Sequence, residues 1–214
     1  MKLNNRFLDW LNESKKVHYI YMRGSWIYDT QTKDSDIDFL VICDKYTRFP
    51  KEFYEMREVT PYNRRFNFHI KVDNYDFIFR TTEEWFDDVL KGSIEAWECA
   101  CLNKKFIIKE YVKLLMKTDS LGLRKQIIKM HDSITPENFD LKEARKVIRY
   151  CVFANQIIEN HKIVNFKEAN SLTRLIQDSD YDTYLSCLQE PLKLLKKSTD
   201  GMLKQELQKK IVQN

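Results

Sequence analysis

The stretch VHYIYMRGSWIYDTQTKDSDIDFLVIC, Val17 to Cys43, decides how the chain is read. Its first six residues, Val17 to Met22, are rich in β-branched and aromatic types, which suits a strand, and they stop at Arg23-Gly24-Ser25, where glycine permits an abrupt turn. A short helix opening at Trp26 leaves its backbone N–H groups, with those of Gly24 and Ser25, free to hold phosphate oxygens, and glycine lets a phosphate come close. Ten residues after Ser25, Asp36-Ile37-Asp38 leads into an apolar run ending at Cys43, a second strand. Side chains alternate along a strand, so Asp36 and Asp38 share one face and Ile37 and Phe39 the other. Two carboxylates that close repel unless something positive lies between them, and oxygen-only ligands favour a hard divalent cation such as magnesium.

Taken singly, a Gly-Ser pair is an ordinary turn and Asp-x-Asp an ordinary solvated strand entrance. In this order, at this spacing and each attached to a strand, the two resemble the signature of the DNA polymerase β-like nucleotidyltransferase superfamily. The resemblance implies an α/β (α+β) fold, a small mixed sheet with flanking helices. It further implies that Gly24-Ser25 cradles the β- and γ-phosphates of a nucleoside triphosphate while Asp36 and Asp38 bridge two Mg2+ or Mn2+ ions. The chemistry implied is attack by an acceptor hydroxyl on the α-phosphorus, with pyrophosphate leaving.

Phe66 to Val72 alternates as a strand, Asp73-Asn74 offers a two-residue turn, and Tyr75 to Arg80 returns as a second strand. On the return Asp76, Ile78 and Arg80 share one face, and a carboxylate among Tyr75, Phe77, Ile78 and Phe79 is out of place unless something binds it. Superfamily members carry a third acidic residue on a neighbouring strand, and by resemblance Asp76 fills that position. Asp73 is the competitor, with an ordinary structural reason to sit in a turn. Arg23 beside the glycine turn, Lys71 opposite Asp76 and Arg80 on the Asp76 face are candidate phosphate ligands, each equally readable as a structural ion pair. Arg149, one helical turn from Arg145, is a further candidate, with a solvated face beside Glu143 as the commoner reading. The four histidines have no metal-ligand spacing and read as structural.

The rest of the chain is read for organisation. A 43% hydrophobic and 32% charged composition with 4 Gly and 4 Pro excludes a disordered or low-complexity chain. Five cysteines without a Cys-x-x-Cys pair suggest neither a disulfide framework nor a zinc site. No apolar run reaches the ~20 residues that span a bilayer, and the first residues lack the apolar core of a signal peptide. A cytoplasmic location is expected, the host cytoplasm if the chain is phage-encoded.

Helices are expected at 4–15 and 51–59, then after a threonine cap in Thr81-Thr82 and after Ser93, with a short edge strand at 106–108. From Tyr111 onward only helical patterns remain, roughly 111–117, 120–131, 140–160, 167–178, 181–197 and 200–212. This change of periodicity divides the chain into a catalytic domain, 1–115, and an all-helical domain, 116–214. Lys+Arg against Asp+Glu stands at 19 to 19 in the first and 17 to 13 in the second, a modest lean toward an anionic partner. Tyr75 to Glu98, Glu143 to Tyr150 and Asn165 to Ala169 also resemble the branch of nucleotidyltransferases found in phages and beside RNA-repair ligases. The expected partners are therefore a nucleoside triphosphate and an RNA hydroxyl. A protein or small-molecule hydroxyl such as an aminoglycoside's, and a non-catalytic antitoxin-like module on the same fold, are the alternatives.

Overall fold

The strands β1 (Val17–Arg23), β2 (Ile37–Cys43), β3 (Arg57–Glu58), β4 (Phe68–Val72), β5 (Tyr75–Thr81) and β6 (Ile107–Glu110) form one sheet in the order β3-β4-β5-β2-β1-β6. They belong to a computed structural model that describes residues 6–45, 47–48, 50, 57–58, 68–176 and 180–212. Only β2 and β5 run parallel; all other neighbours are antiparallel. The expected mixed sheet is present, with the three motif-bearing strands side by side as β5-β2-β1. Of the helix expected at 51–59, Arg57 and Glu58 are strand, and the remainder lies outside the described residues, as do 4–5, 66–67 and 177–178.

β2 is central, so both of its faces are covered, and its sequence is apolar on both; Asp38 is its one residue that is not buried. One sheet face carries Phe39, Phe77 and Phe79. Phe39 stacks on Phe77 with ring centroids 5.2 Å apart, and α1 (Arg6–Glu13) closes this face by setting Phe7 edge-on to Phe77 at 5.0 Å. On the opposite face α3 (Thr82–Leu90) packs Trp85, fully buried, 6.1 Å from Tyr21 and Phe86 6.5 Å from Tyr19. α3 starts where it does because Thr81 and Glu84 form a reciprocal cap. The Thr81 hydroxyl accepts the Glu84 N–H at 3.2 Å, and the Glu84 carboxylate faces the Thr81 N–H at 3.4 Å.

The chain forms two compact units, residues 1–90 with 102–115, and 91–101 with 116–214. α4 (Ile94–Cys101) thus belongs with the helices that follow it: α5 (Ser120–Asp132), α6 (Leu141–Asn160), α7 (Asn170–Leu175) and α8 (Tyr181–Val212). Residues 111–117 are not helical, although their apolar spacing suggests it. Only Leu114 is buried there, with Tyr111, Val112 and Leu115 exposed, and a helix of two turns forms only when it buries a face. The separate helices expected at 181–197 and 200–212 are one, running through Pro191 and Gly201. Thr199, fully buried, helps to hold the junction through its hydroxyl to the Leu195 carbonyl at 2.7 Å and by accepting from Arg124 at 3.0 Å.

Gln156 on α6 organises the loop that follows that helix. Its amide oxygen accepts the Val164 and Asn165 N–H groups at 2.8 and 2.9 Å, and its amide nitrogen donates to the Asn165 carbonyl and the Glu168 carboxylate. The side chain is 4% exposed, so Gln156→Leu strands buried polar groups and should destabilise the protein by about 2–4 kcal/mol in urea unfolding. A loss below about 1 kcal/mol would show that the loop is held by other contacts.

Candidate active site

Strand register assembles the site. Arg23 pairs with Asp38 across β1 and β2, Asp38 with Asp76 across β2 and β5, and Asp76 with Lys71 across β5 and β4. Directly paired residues point to the same face, so one edge of the sheet carries a row that reads cation, carboxylate, carboxylate, cation. Their Cα atoms are spaced by about 5 Å, so the two carboxylates repel each other. The flanking Arg23 and Lys71 offset part of that repulsion. α3 covers the same face further along, over Tyr19 and Tyr21, and Asp38 and Asp76 remain half-buried.

Gly24 ends β1 with φ 71° and ψ −148°, a conformation glycine adopts without strain. A Cβ built there would lie 2.1 Å from Asp38 Oδ2, so the carboxylate rests directly against the glycine backbone. α2 (Ser25–Tyr28) opens at once, one residue before the expected start. The Trp26 indole N–H donates to the Asp36 carbonyl at 3.1 Å, fastening this helix to the entrance of β2. Between them the Thr32 N–H donates to the Ser35 hydroxyl at 2.8 Å. Asp36 itself is exposed, two residues before Asp38 along the chain.

The Asp76 side chain is 15% exposed, and its Oδ1 is buried with no hydrogen-bond partner among the described residues. His69 Nδ1 lies 3.5 Å from it, longer than an N–H···O bond. Asp73 occupies the hairpin turn at φ 55°, while Asn74 keeps negative φ. The register therefore brings Asp76, and not Asp73, beside Asp38.

These carboxylates suit a hard divalent cation. The donors are all oxygen, one of them is buried without a hydrogen-bond partner among the described residues, and the Asp38 carboxylate lies against a glycine that leaves room for it. Among the described residues no three acidic, histidine or cysteine side chains already close around one point, so Asp36 stands near the pair without completing a cage.

Arg80 is placed elsewhere. It is four residues beyond Asp76, about 13 Å along the strand, and forms an ion pair with Asp88 of α3. Its face is the one read from the sequence, but the helix over that face takes its charge. Arg149 is half-buried on α6 of the second unit. Arg145 donates to the Thr173 and Ile176 carbonyls at 2.9 and 2.8 Å, closing the end of α7. His18 pairs with Asp44 at 2.8 Å, His131 with the Tyr184 hydroxyl at 2.8 Å and His161 with the Thr118 hydroxyl at 3.1 Å. Burial pushes the Cys43 and Cys151 thiols up to about 12, which makes them inert packing groups. His69 is the site neighbour that sequence reasoning missed. Alternation on β4 gives it the face of Lys71, and the two-residue turn then sets it diagonal to Asp76.

No helix among the described residues is long and apolar enough to cross a membrane. The profile of a family described as a nucleotidyltransferase domain matches residues 5–165. No curated protein matches the sequence. Among solved structures, a spectinomycin adenyltransferase from Enterococcus faecialis, crystallised with ATP and spectinomycin, is 11% identical with a TM-score of 0.40, over 87% of this chain and 86% of its own. A nucleotidyltransferase-like protein from Exiguobacterium sibiricum 255-15 is 10% identical with a TM-score of 0.32, over 94% of this chain and 78% of its own.

Proposed function

This chain belongs to the nucleotidyltransferase domain family, and from that premise we propose that it transfers a nucleoside monophosphate from a nucleoside triphosphate to an acceptor hydroxyl on RNA. The observation that carries the transfer reading is the register of Asp38 with Asp76 beside a glycine that tolerates no side chain. Asp36, Asp38 and Asp76 would hold Mg2+ or Mn2+, which would supply charge stabilisation at the α-phosphate and make the incoming hydroxyl more acidic.

The protein's own groups do the rest. Gly24 and Ser25 present backbone N–H groups and an open approach to the triphosphate tail. Arg23 and Lys71, at the two ends of the row, neutralise the charge that collects on the phosphates as the new O–P bond forms and pyrophosphate leaves. Asp76, on the strand farther from Gly24, takes the side of the incoming hydroxyl. The RNA acceptor is supported by the positive surplus of residues 116–214, where 17 basic residues face 13 acidic ones. In this proposal the catalytic domain is 1–115, the helical domain is 116–214, and Arg149 contacts a phosphate.

The test is incubation of the full chain with α-labelled nucleoside triphosphates, with and without Mg2+, in the presence of RNA, protein and aminoglycoside acceptors. Label on RNA, dependent on Mg2+, is the expected result. Label on a protein or small molecule instead moves the acceptor and keeps the chemistry. No label on any acceptor removes the transferase reading and leaves a binding module.

A further inference from the structure

A carboxylate that ligates a cation through one oxygen is normally held at the other by a hydrogen-bond donor, which fixes its orientation. Asp76 has an oxygen placed for such a donor. Its Oδ1 is buried and carries no hydrogen bond among the described residues. His69 faces it from β4, with Nδ1 at 3.5 Å and a ring 28% exposed, so the imidazole is a few tenths of an ångström beyond bonding distance. Backbone pairing fixes this approach, because β4 and β5 are in continuous register from Phe68 with Phe79 to Val72 with Tyr75. Lys71 opposes Asp76 directly but is exposed, whereas His69 approaches the buried oxygen.

We propose that His69 is the positioning residue of the third carboxylate: its Nδ1–H closes on Asp76 Oδ1 when Asp76 turns its other oxygen to a divalent cation. A neutral ring with the proton on Nδ1 serves this purpose, and the exposed edge of the ring stays in solvent. The contact fixes the orientation of the Asp76 carboxylate, so a cation would meet a group already oriented. This inference rests on the nucleotidyl-transfer reading of the Asp38 and Asp76 pair.

The test is Mn2+ titrated into the full-length chain, with the free ion followed by electron paramagnetic resonance. Asparagine places its amide nitrogen close to the position of histidine Nδ1, and glutamine places it one bond further out. His69→Asn should therefore bind Mn2+ within about threefold of the parent, while His69→Gln and His69→Ala bind about 10–100-fold more weakly. The comparison of asparagine with glutamine survives any loss of stability on truncation to alanine, and a purely structural histidine would not produce it. Parent-like binding by His69→Ala, or an asparagine variant no better than glutamine, overturns the role of His69 alone. A parent that takes up no Mn2+, or an Asp38→Asn variant that binds as the parent does, overturns the transfer reading and this inference together.

Discussion

Asp38→Asn should abolish nucleotidyl transfer, a loss of about 10³-fold or more that corresponds to at least roughly 4 kcal/mol of transition-state stabilisation. The reason is its place in the row. Asp38 lies against the glycine turn on one side and pairs with Asp76 on the other, so in the proposed mechanism its loss breaks the site at its centre. In metal-free buffer the same change removes one of two adjacent like charges and also one partner of Arg23, and these effects oppose each other. The melting temperature should stay within about 2 °C of the parent's, since a net change below about 0.5 kcal/mol moves it little in a chain of this size. Mg2+ with nucleotide should raise the melting temperature of the parent and not of Asp38→Asn, because only a native state that binds the ligand gains by mass action. Asp36→Asn should follow Asp38→Asn. Asp76→Asn should stop transfer while sparing part of the triphosphate binding. If Asp76→Asn kept full activity and Asp73→Asn lost it, the third carboxylate would be the turn residue, and parent-like activity in all four variants would end the transferase reading.

Gly24→Ala is expected to be nearly as damaging, by a different route. At φ 71° an alanine costs about 1–2 kcal/mol in backbone strain alone. Its Cβ would also fall 2.1 Å from Asp38 Oδ2, inside any allowed contact, so the carboxylate must leave its position. A displacement of about 1 Å at a reacting centre costs on the order of 10²-fold in rate, and the two effects together should lower stability by about 2–3 kcal/mol. A double-mutant cycle separates them. Adding Asp38→Ala to Gly24→Ala removes the overlap and leaves the strain, so the double variant should be more stable than the sum of the single effects by about 1 kcal/mol. Strict additivity would mean that the glycine matters only for its torsion angles.

The parts of this structure that could be read from sequence are those fixed by short-range rules. The β1 turn, the β2 strand, the two-residue hairpin of β4 and β5 and the Thr81 cap each follow from alternation or from a single residue's torsional preference. From the hairpin alone Lys71 could be set opposite Asp76. The pairing of Asp38 with Asp76 was harder, because a parallel contact 38 residues apart has no local signal and had to be inferred from the family pattern. Arg80 was legible as to face but not as to neighbour, since its charge is taken by Asp88 on a helix that packs over it. His69 was passed over because its relation to Asp76 is diagonal across the strand pair. Residues 111–117 carry a helical apolar pattern yet bury one leucine, and periodicity does not say whether a face finds cover. The continuous α8 hides its join: Thr199 lies in the gap read between two helices, yet it is buried and bonded inside one.

The stacking of Phe39 on Phe77 has a consequence for how the chain avoids misassembly. The same register that stacks these two rings sets Asp38 beside Asp76 one residue earlier on each strand. A slip of β5 by one residue would turn Asp76 toward α1 and Phe77 to the opposite face, whereas a slip of two would keep the faces and set Tyr75 or Phe79 opposite Phe39. The apolar side of the sheet thus acts as a proofreader for the polar side against one-residue slips, which would carry the carboxylates to the wrong face. Because that check operates between segments far apart in sequence, it is complete only once β5 has docked on β2, and a chain interrupted before Tyr75 would hold the Asp36-Ile37-Asp38 motif without its partner.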